Sequence, residues 1–235
     1  MKSLISAAFG AGLALAICAP AAAADLPMVT KAPVAAPVFS WTGCYIGANV
    51  GYGWGRASAT TTGGGVTASA SENLNGVVGG GQLGCNYQWQ SVVFGIEGDF
   101  QGTSQKHTDS ITVAGVGITS TDRVPWFGTI RGRLGWAVNN WLFYGTGGWG
   151  YGEFKNDLTF TGAIVGTISS SRDHGFWVVG GGIENAFAPH WSWKVEYLYL
   201  STGNITNTSA IGATVFTTTS KFTDNIVRAG VNYRF

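Results

Sequence analysis

Nine charged residues fall in the chain at spacings that keep each group on a single face. Glu97 and Asp99 are two apart, as are Arg131 and Arg133, and Lys194 and Glu196; Glu184 stands alone, and Arg228 and Arg234 share a parity near the end. A spacing of two places side chains on one face of a strand. The residues between them are apolar or aromatic: Phe94, Ile96 and Phe100; Trp126, Ile130, Leu134 and Trp136; Trp193, Val195, Tyr197 and Tyr199; Val227, Ala229, Val231, Tyr233 and Phe235. Charges on a face that is enclosed must be paired and hydrogen-bonded, or each costs several kcal/mol. Four acids against five bases are nearly balanced, so the chemistry they suit is mutual ion pairing inside an enclosed interior. A narrow polar channel through the same residues is the alternative.

Other chemistry-bearing patterns are weaker. G-x-G-x-x-G occurs at Gly79, Gly81 and Gly84, and again at Gly145, Gly147 and Gly150. A dinucleotide site needs that pattern between a strand and a helix, whereas both lie inside alternating, strand-like sequence. Small residues easing curvature or close backbone approach explain them. His107, His174 and His190 lack the short paired offsets of metal ligands. Asp173-His174 has no nucleophile motif beside it. The expectation is therefore no catalytic residue, no metal and no cofactor.

The elements that must carry the charged face are strands. Candidates lie near 43–55, 75–89, 91–103, 122–137, 141–155, 173–187, 191–203 and 223–235. Long Ser/Thr/Gly stretches at 56–74, 104–121, 156–172 and 204–222 alternate with very short links near Gln90, at Asn139-Asn140 and at Ala188-Pro189-His190. Ten-residue alternating segments, short turns on one side and long loops on the other are the pattern of a bacterial transmembrane barrel. The fold class expected is all-β: an eight-stranded antiparallel transmembrane β-barrel, an up-and-down meander, with both termini on the short-turn side. Arginine facing lipid at mid-depth costs about 2–4 kcal/mol, so the charged parity should point into the lumen. Aromatics on both parities leave the facing of 141–155 unassigned. Trp41, Trp89, Trp141, Trp191 and Phe235 towards one rim, and Trp54, Trp126, Trp149 and Trp177 towards the other, suit two interfacial girdles.

The first 24 residues read as a cleaved signal peptide: Lys2, an apolar run from Leu4 to Ile17, and a small-residue site before a cut between Ala24 and Asp25. Cys18 would suit a lipoprotein signal, but Ile17 before it is not small. Residues 25–40, with Pro27, Pro33 and Pro37, read as a periplasmic tether, and 41–235 as the barrel. Glycine is 37 of 235 residues, and only 11% of residues are charged. Without Lys2, twelve basic residues balance twelve acidic ones, which excludes a nucleic-acid footprint.

Two cross-strand pairings follow from the turns. A turn centred on Pro189 sets Glu184 opposite Lys194, predicting an ion pair. Closing the intervening loop between Gly55 and Leu74 sets Cys44 opposite Cys85, both on the outward parity, and with Cys18 removed they are the only cysteines. In an oxidising compartment this predicts a disulfide; two apolar thiols facing lipid are the alternative.

The stretches WTGCYIGANVGYGWG (41–55), NGVVGGGQLGCNYQW (75–89), GIEGDFQG (95–102), GTIRGRLGWA (128–137), YGTGGWGYG (144–152), APHWSWKVEYLYL (188–200) and VRAGVNYRF (227–235) together resemble the small outer-membrane immunogenic proteins of alphaproteobacteria, a porin-family, OmpA-like barrel group. The resemblance implies outer-membrane location among lipid and lipopolysaccharide, long loops extracellular and both termini periplasmic. It implies insertion by the barrel-assembly machinery, which reads a C-terminal aromatic such as Phe235 with Tyr233 two before it. It implies a surface antigen contributing to envelope integrity; some relatives are linked to porin activity or haem-compound binding, for which no residue motif stands here. No OmpA-type peptidoglycan-binding domain is expected. The functional expectation is a structural surface barrel with a plugged lumen, against a narrow porin or a loop-mediated ligand-binding or adhesion protein.

Overall fold

The computed structural model describes residues 39–113, 116–162, 165–211 and 214–235. The expected cleavage site at Ala24 and Asp25, and nearly all of the 25–40 tether, lie outside the described residues. Nine strands are present among those described: β1 (Gly43–Gly63), β2 (Val66–Trp89), β3 (Val92–Val113), β4 (Val116–Val138), β5 (Trp141–Gly162), β6 (Gly166–Ala188), β7 (Trp191–Ser201), β8 (Ile205–Ile211) and β9 (Thr214–Arg234). Every neighbour is antiparallel, each strand pairs with the next as far as β7, β7 pairs with β9, and β9 pairs back onto β1. The ring is closed. It has eight staves, because β8 stands above β7 and pairs only with the outer part of β9. Gly203, at φ 70°, turns the chain aside between β7 and β8, and Thr202 N–H donates to Phe222 O at 3.1 Å to hold the bend.

The short links are where the sequence puts them. Trp89 pairs with Val92 and Val138 with Trp141, so each connection is two residues, and Gln90 and Asn139 take positive φ. Such two-residue turns match the right-handed strand twist. The long stretches, by contrast, are not loops. β1 and β2 stay in register to Gly63↔Val66 across Gly64 and Gly65, both at positive φ, and β3 and β4 stay paired to Val113↔Val116. Serine and threonine side chains that look like loop composition stabilise these hairpins instead. Thr60 and Ser69 are hydrogen-bonded at 3.1 Å and Ser110 and Thr119 at 3.0 Å, cross-strand hydroxyl pairs of the kind that support a sheet.

Above the barrel the wall divides. Pairing of β2 with β3 stops at Asn75↔Lys106, and that of β6 with β7 at Trp177↔Ser201. Two four-stranded sheets continue beyond, β2-β1-β9-β8 and β3-β4-β5-β6, and a seam separates them on each side. Register shifts at Gly102/Gln105 in β3 and Arg123/Trp126 in β4, with Pro125 in the bulge, lie just below the division.

Facing follows the alternation. Ile46, Val50, Leu83, Ile96, Phe100, Ile130, Leu134, Val195 and Val227 are exposed on the outer wall, Ile130 to 67%. Aliphatic surface on that scale, girdled by Trp89, Trp141 and Trp191 at the short-turn end and Trp54, Trp149 and Trp177 nearer the other, suits lipid. The facing left open in the sequence is settled: Leu142 and Tyr144 point inward, and Trp141, Phe143, Trp149 and Tyr151 outward. Trp41 departs from its expected place in the girdle. It is 1% exposed and turned into the barrel mouth, where Gln88 Oε1 accepts its backbone N–H at 2.7 Å.

Candidate functional site: a charged layer sealed by two apolar layers

From the short-turn end, the lumen is filled first by Trp41, Val93, Leu142, Tyr144 and Ala186. Charges follow. Beyond them Val78, Phe127, Phe176, Val178, Leu198, Leu200 and Ile226 make a second apolar layer. An eight-stranded barrel is just wide enough for side chains to fill it, and here they do.

Arg131 is the hub of the charged layer. Its Nη2 donates to Glu97 Oε1 at 2.5 Å and Asp99 Oδ2 at 3.0 Å, its Nη1 to Glu196 Oε1 at 3.0 Å, and its Nε to Thr129 Oγ1 at 3.1 Å. Lys194 Nζ donates to both oxygens of Glu97 at 2.9 Å. Arg228 Nε reaches Glu196 Oε2 at 2.8 Å and its Nη2 reaches Asp99 Oδ2 at 3.2 Å. Arg133 Nη2 donates to Glu184 Oε2 at 2.7 Å. Four acids meet four bases, and all eight are buried. Delocalised guanidinium groups, each able to serve several carboxylates, suit such a site better than ammonium groups.

Two expectations need correction. Arg234 is not part of this network. It stands at the short-turn mouth, its guanidinium carbon 4.0 Å from the Phe39 ring centroid and its Nη2 donating to Pro189 O at 3.4 Å. Parity fixes the face and not the position along the strand; six residues beyond Arg228 the side chain has left the enclosed section. Glu184 and Lys194 are opposite in register, as the turn requires, yet they do not form the ion pair. Lys194 turns to Glu97, and Glu184 takes Arg133, Ser192 Oγ at 2.6 Å and Asn232 Nδ2 at 2.8 Å. In a narrow lumen, side chains from across the ring are as near as those on the next strand.

Several members were missed in the sequence. Tyr45 Oη donates to Glu97 Oε2 at 2.6 Å and accepts from Arg133 Nη1 at 2.7 Å, while Tyr144 Oη donates to Glu196 Oε1 at 3.2 Å. The signal was available: Tyr45 has the parity opposite to Cys44, Ile46 and Val50. Gly84 and Gly182 make room for these rings, since a Cβ on Gly84 would lie 2.5 Å from Tyr45 Oη and one on Gly182 2.8 Å from Tyr144 Oη. Gly84, the last glycine of the first G-x-G-x-x-G, thus serves packing in mid-strand, and the second match likewise lies within β5.

On the outer face, Cys44 and Cys85 are directly opposed with Cα atoms 4.0 Å apart and sulfurs at bonding distance, 2.10 Å. The backbone N–H of Phe235 donates to Cys44 O at 3.0 Å, and Tyr233 packs between Trp191 and Phe235. The histidines are scattered: His107 beside Asp109 at 3.1 Å, His174 against Phe154, His190 at Arg234 O. At the other end, between the two diverging sheets, lies a cavity of about 480 Å³. Leu74, Glu72 and Phe222 line it from one sheet, and Asp122, Phe154 and Arg172 from the other.

A closed ring, an apolar outer belt with aromatic girdles and a charge-filled lumen define a transmembrane β-barrel of the outer-membrane kind. The chain belongs to the family described as outer membrane protein beta-barrel domain, which matches residues 9–235. It is 37% identical over 248 residues to the 31 kDa outer-membrane immunogenic protein of Brucella melitensis biotype 1, covering 100% of both chains. It is 28% identical over 240 residues to the 25 kDa outer-membrane immunogenic protein of Brucella abortus biovar 1, again covering 100% of both. Among solved structures it is similar to Neisserial surface protein A, at 14% identity and a TM-score of 0.39, over 83% of this chain and 98% of that one.

Proposed function

We propose that this outer-membrane barrel is a non-catalytic, non-conducting structural protein that stiffens the envelope and displays its long hairpins as a surface antigen. The observation that carries the reading is the layered lumen: four acids paired to four bases, closed above and below by apolar side chains. A narrow porin would need a continuous open path, and buried side chains fill the lumen along its length. On this reading the long hairpins are extracellular and the short turns periplasmic, with lipid and lipopolysaccharide around the apolar belt. The N-terminal segment would be removed between Ala24 and Asp25, leaving a proline-rich periplasmic tether. Tyr233 and Phe235 would present the aromatic signal that the barrel-assembly machinery reads. Conductance of the refolded protein in planar bilayers tests the reading. A quiet baseline is expected, and large, stable steps would overturn the plug.

A further inference from the structure

The seam between β6 and β8 has two free strand edges. Above Trp177↔Ser201, β6 pairs only with β5, and β8 pairs only with β9. The outer stretch of β6, from Gly166 to Asp173, is exposed on both faces. Free edges present unpaired N–H and C=O groups and template the addition of another strand; proteins usually guard them with charge, proline or a cover. β8, ITNTSAI, carries neither charge nor proline, and β6 carries none from Gly166 to Ser171. The other seam differs, since Glu72, His107 and Asp109 flank it.

The face of this seam that looks into the cavity is chemically graded. Ile168 is exposed on β6, and Ile205 of β8 lines the cavity. At the base stands Arg172, which is opposite Phe154 and shares its cavity-facing side. Its guanidinium has no carboxylate at ion-pair distance among the described residues, whereas Arg123 on the same sheet has Asp157 at 2.5 Å. An added strand would send alternate side chains into the cavity, the arrangement in which backbone bonds supply affinity and pockets supply specificity.

We propose that the β6–β8 seam receives an extended polypeptide segment of a partner protein, apolar on its inward face and ending in a carboxylate at Arg172. β8 runs away from the membrane, so a segment antiparallel to it enters C-terminus first and brings its carboxylate to the base. The antiparallel ladder is the slightly more stable of the two. The inference rests on the extracellular placement of the long hairpins, but not on the plug.

The test uses the full barrel refolded in detergent, where both ends are accessible, and a synthetic heptapeptide of alternating threonine and valine ending in aspartate with a free C-terminus. Hydrogen exchange should slow on at least one of the edges, 166–172 or 205–211, when the peptide is present. The C-terminal amide with asparagine in place of aspartate, and the Arg172→Ala barrel, should each bind about tenfold more weakly, the loss expected for one charge-assisted contact. Asn207→Lys, which guards the β8 edge without touching Arg172, should also weaken binding. Unchanged exchange on both edges would overturn the proposal. So would equal binding of acid and amide, or protection by a polyanion such as dextran sulfate but not by the peptide. A conducting barrel that still binds the peptide would sink the plug and leave this inference standing.

Discussion

Lys194 holds both oxygens of Glu97 across the lumen, although the residue opposite it in register is Glu184. In so narrow a ring the nearest carboxylate to a buried ammonium is set by the whole circumference and not by the neighbouring strand. Lys194→Ala should therefore take a partner from Glu97, which keeps Arg131 and Tyr45, rather than from Glu184, and the loss should fall at or below the cost of an isolated pair. Removing one partner from a buried pair typically costs about 3–5 kcal/mol. Double-mutant cycles by urea unfolding in detergent should give a large coupling of Lys194 with Glu97 and a small one with Glu184; the reverse order would contradict the geometry. Outside the membrane belt, Glu72 lies on the cavity wall with Asp122, His107 and Asp109 as its charged neighbours. Partial burial, then the hydrogen bond to Asp122, raise its carboxyl above the ordinary 4.5. A raised folded value means that the folded state holds the proton more tightly than the unfolded chain. The stabilisation is thus fully present below the ordinary value and is lost as pH rises through the raised one. Protection factors in the outer half of β2, corrected for the intrinsic pH dependence of amide exchange, should fall over that rise in the native chain and stay flat in Glu72→Gln. Equal pH dependence in both would remove the Glu72 carboxyl from consideration.

At the scale of elements, the sequence is legible where burial writes a period and obscure where it does not. Strands beside the charged layer alternate strongly, and the facing of most of them, their short turns and their bounds at the short-turn end could be read directly, whereas their outer ends run well past the expected bounds. The outer halves are wet on both faces, so no apolar period marks them, and serine and threonine there resemble loops. β5 was opaque for another reason: its inward positions carry Tyr144 and Phe154, and its outward positions carry the girdle. β8 could not be read at all, since it is a stave interrupted at Gly203 rather than an element of its own. The β1–β2 pair is different, because turn length and parity together fix Cys44 against Cys85. Thiol labelling of the denatured, unreduced protein should find neither cysteine of that pair reactive, and two free thiols per chain would contradict the bond. Under the chain-entropy account a bridge spanning this separation of 41 residues contributes a few kcal/mol, so reduction should lower the unfolding temperature without opening the barrel.

For the whole molecule, the demanding contact is the last one. β1 and β9 meet across nearly the full length of the chain, and contacts of such long sequence separation form slowly. Their register is weakly written at the outer end, where Thr60, Thr61 and Thr62 face Thr219, Thr218 and Thr217. A slip of two residues there would exchange one hydroxyl pair for another and keep every side chain on its own face. The bond from Cys44 to Cys85 lies at the opposite end, beside the site where Phe235 N–H meets Cys44 O. A bridge formed before β9 arrives would hold β1 to β2 at one offset, and the closing strand would meet an edge that cannot slide. It would then act as a proofreading constraint on closure as well as a source of stability. Cys44→Ser with Cys85→Ser should refold to a mixture of closed forms, seen as more than one folded band in unboiled gel electrophoresis, where the native chain gives one. A single sharp band with unchanged mobility would show that the plug alone selects the register.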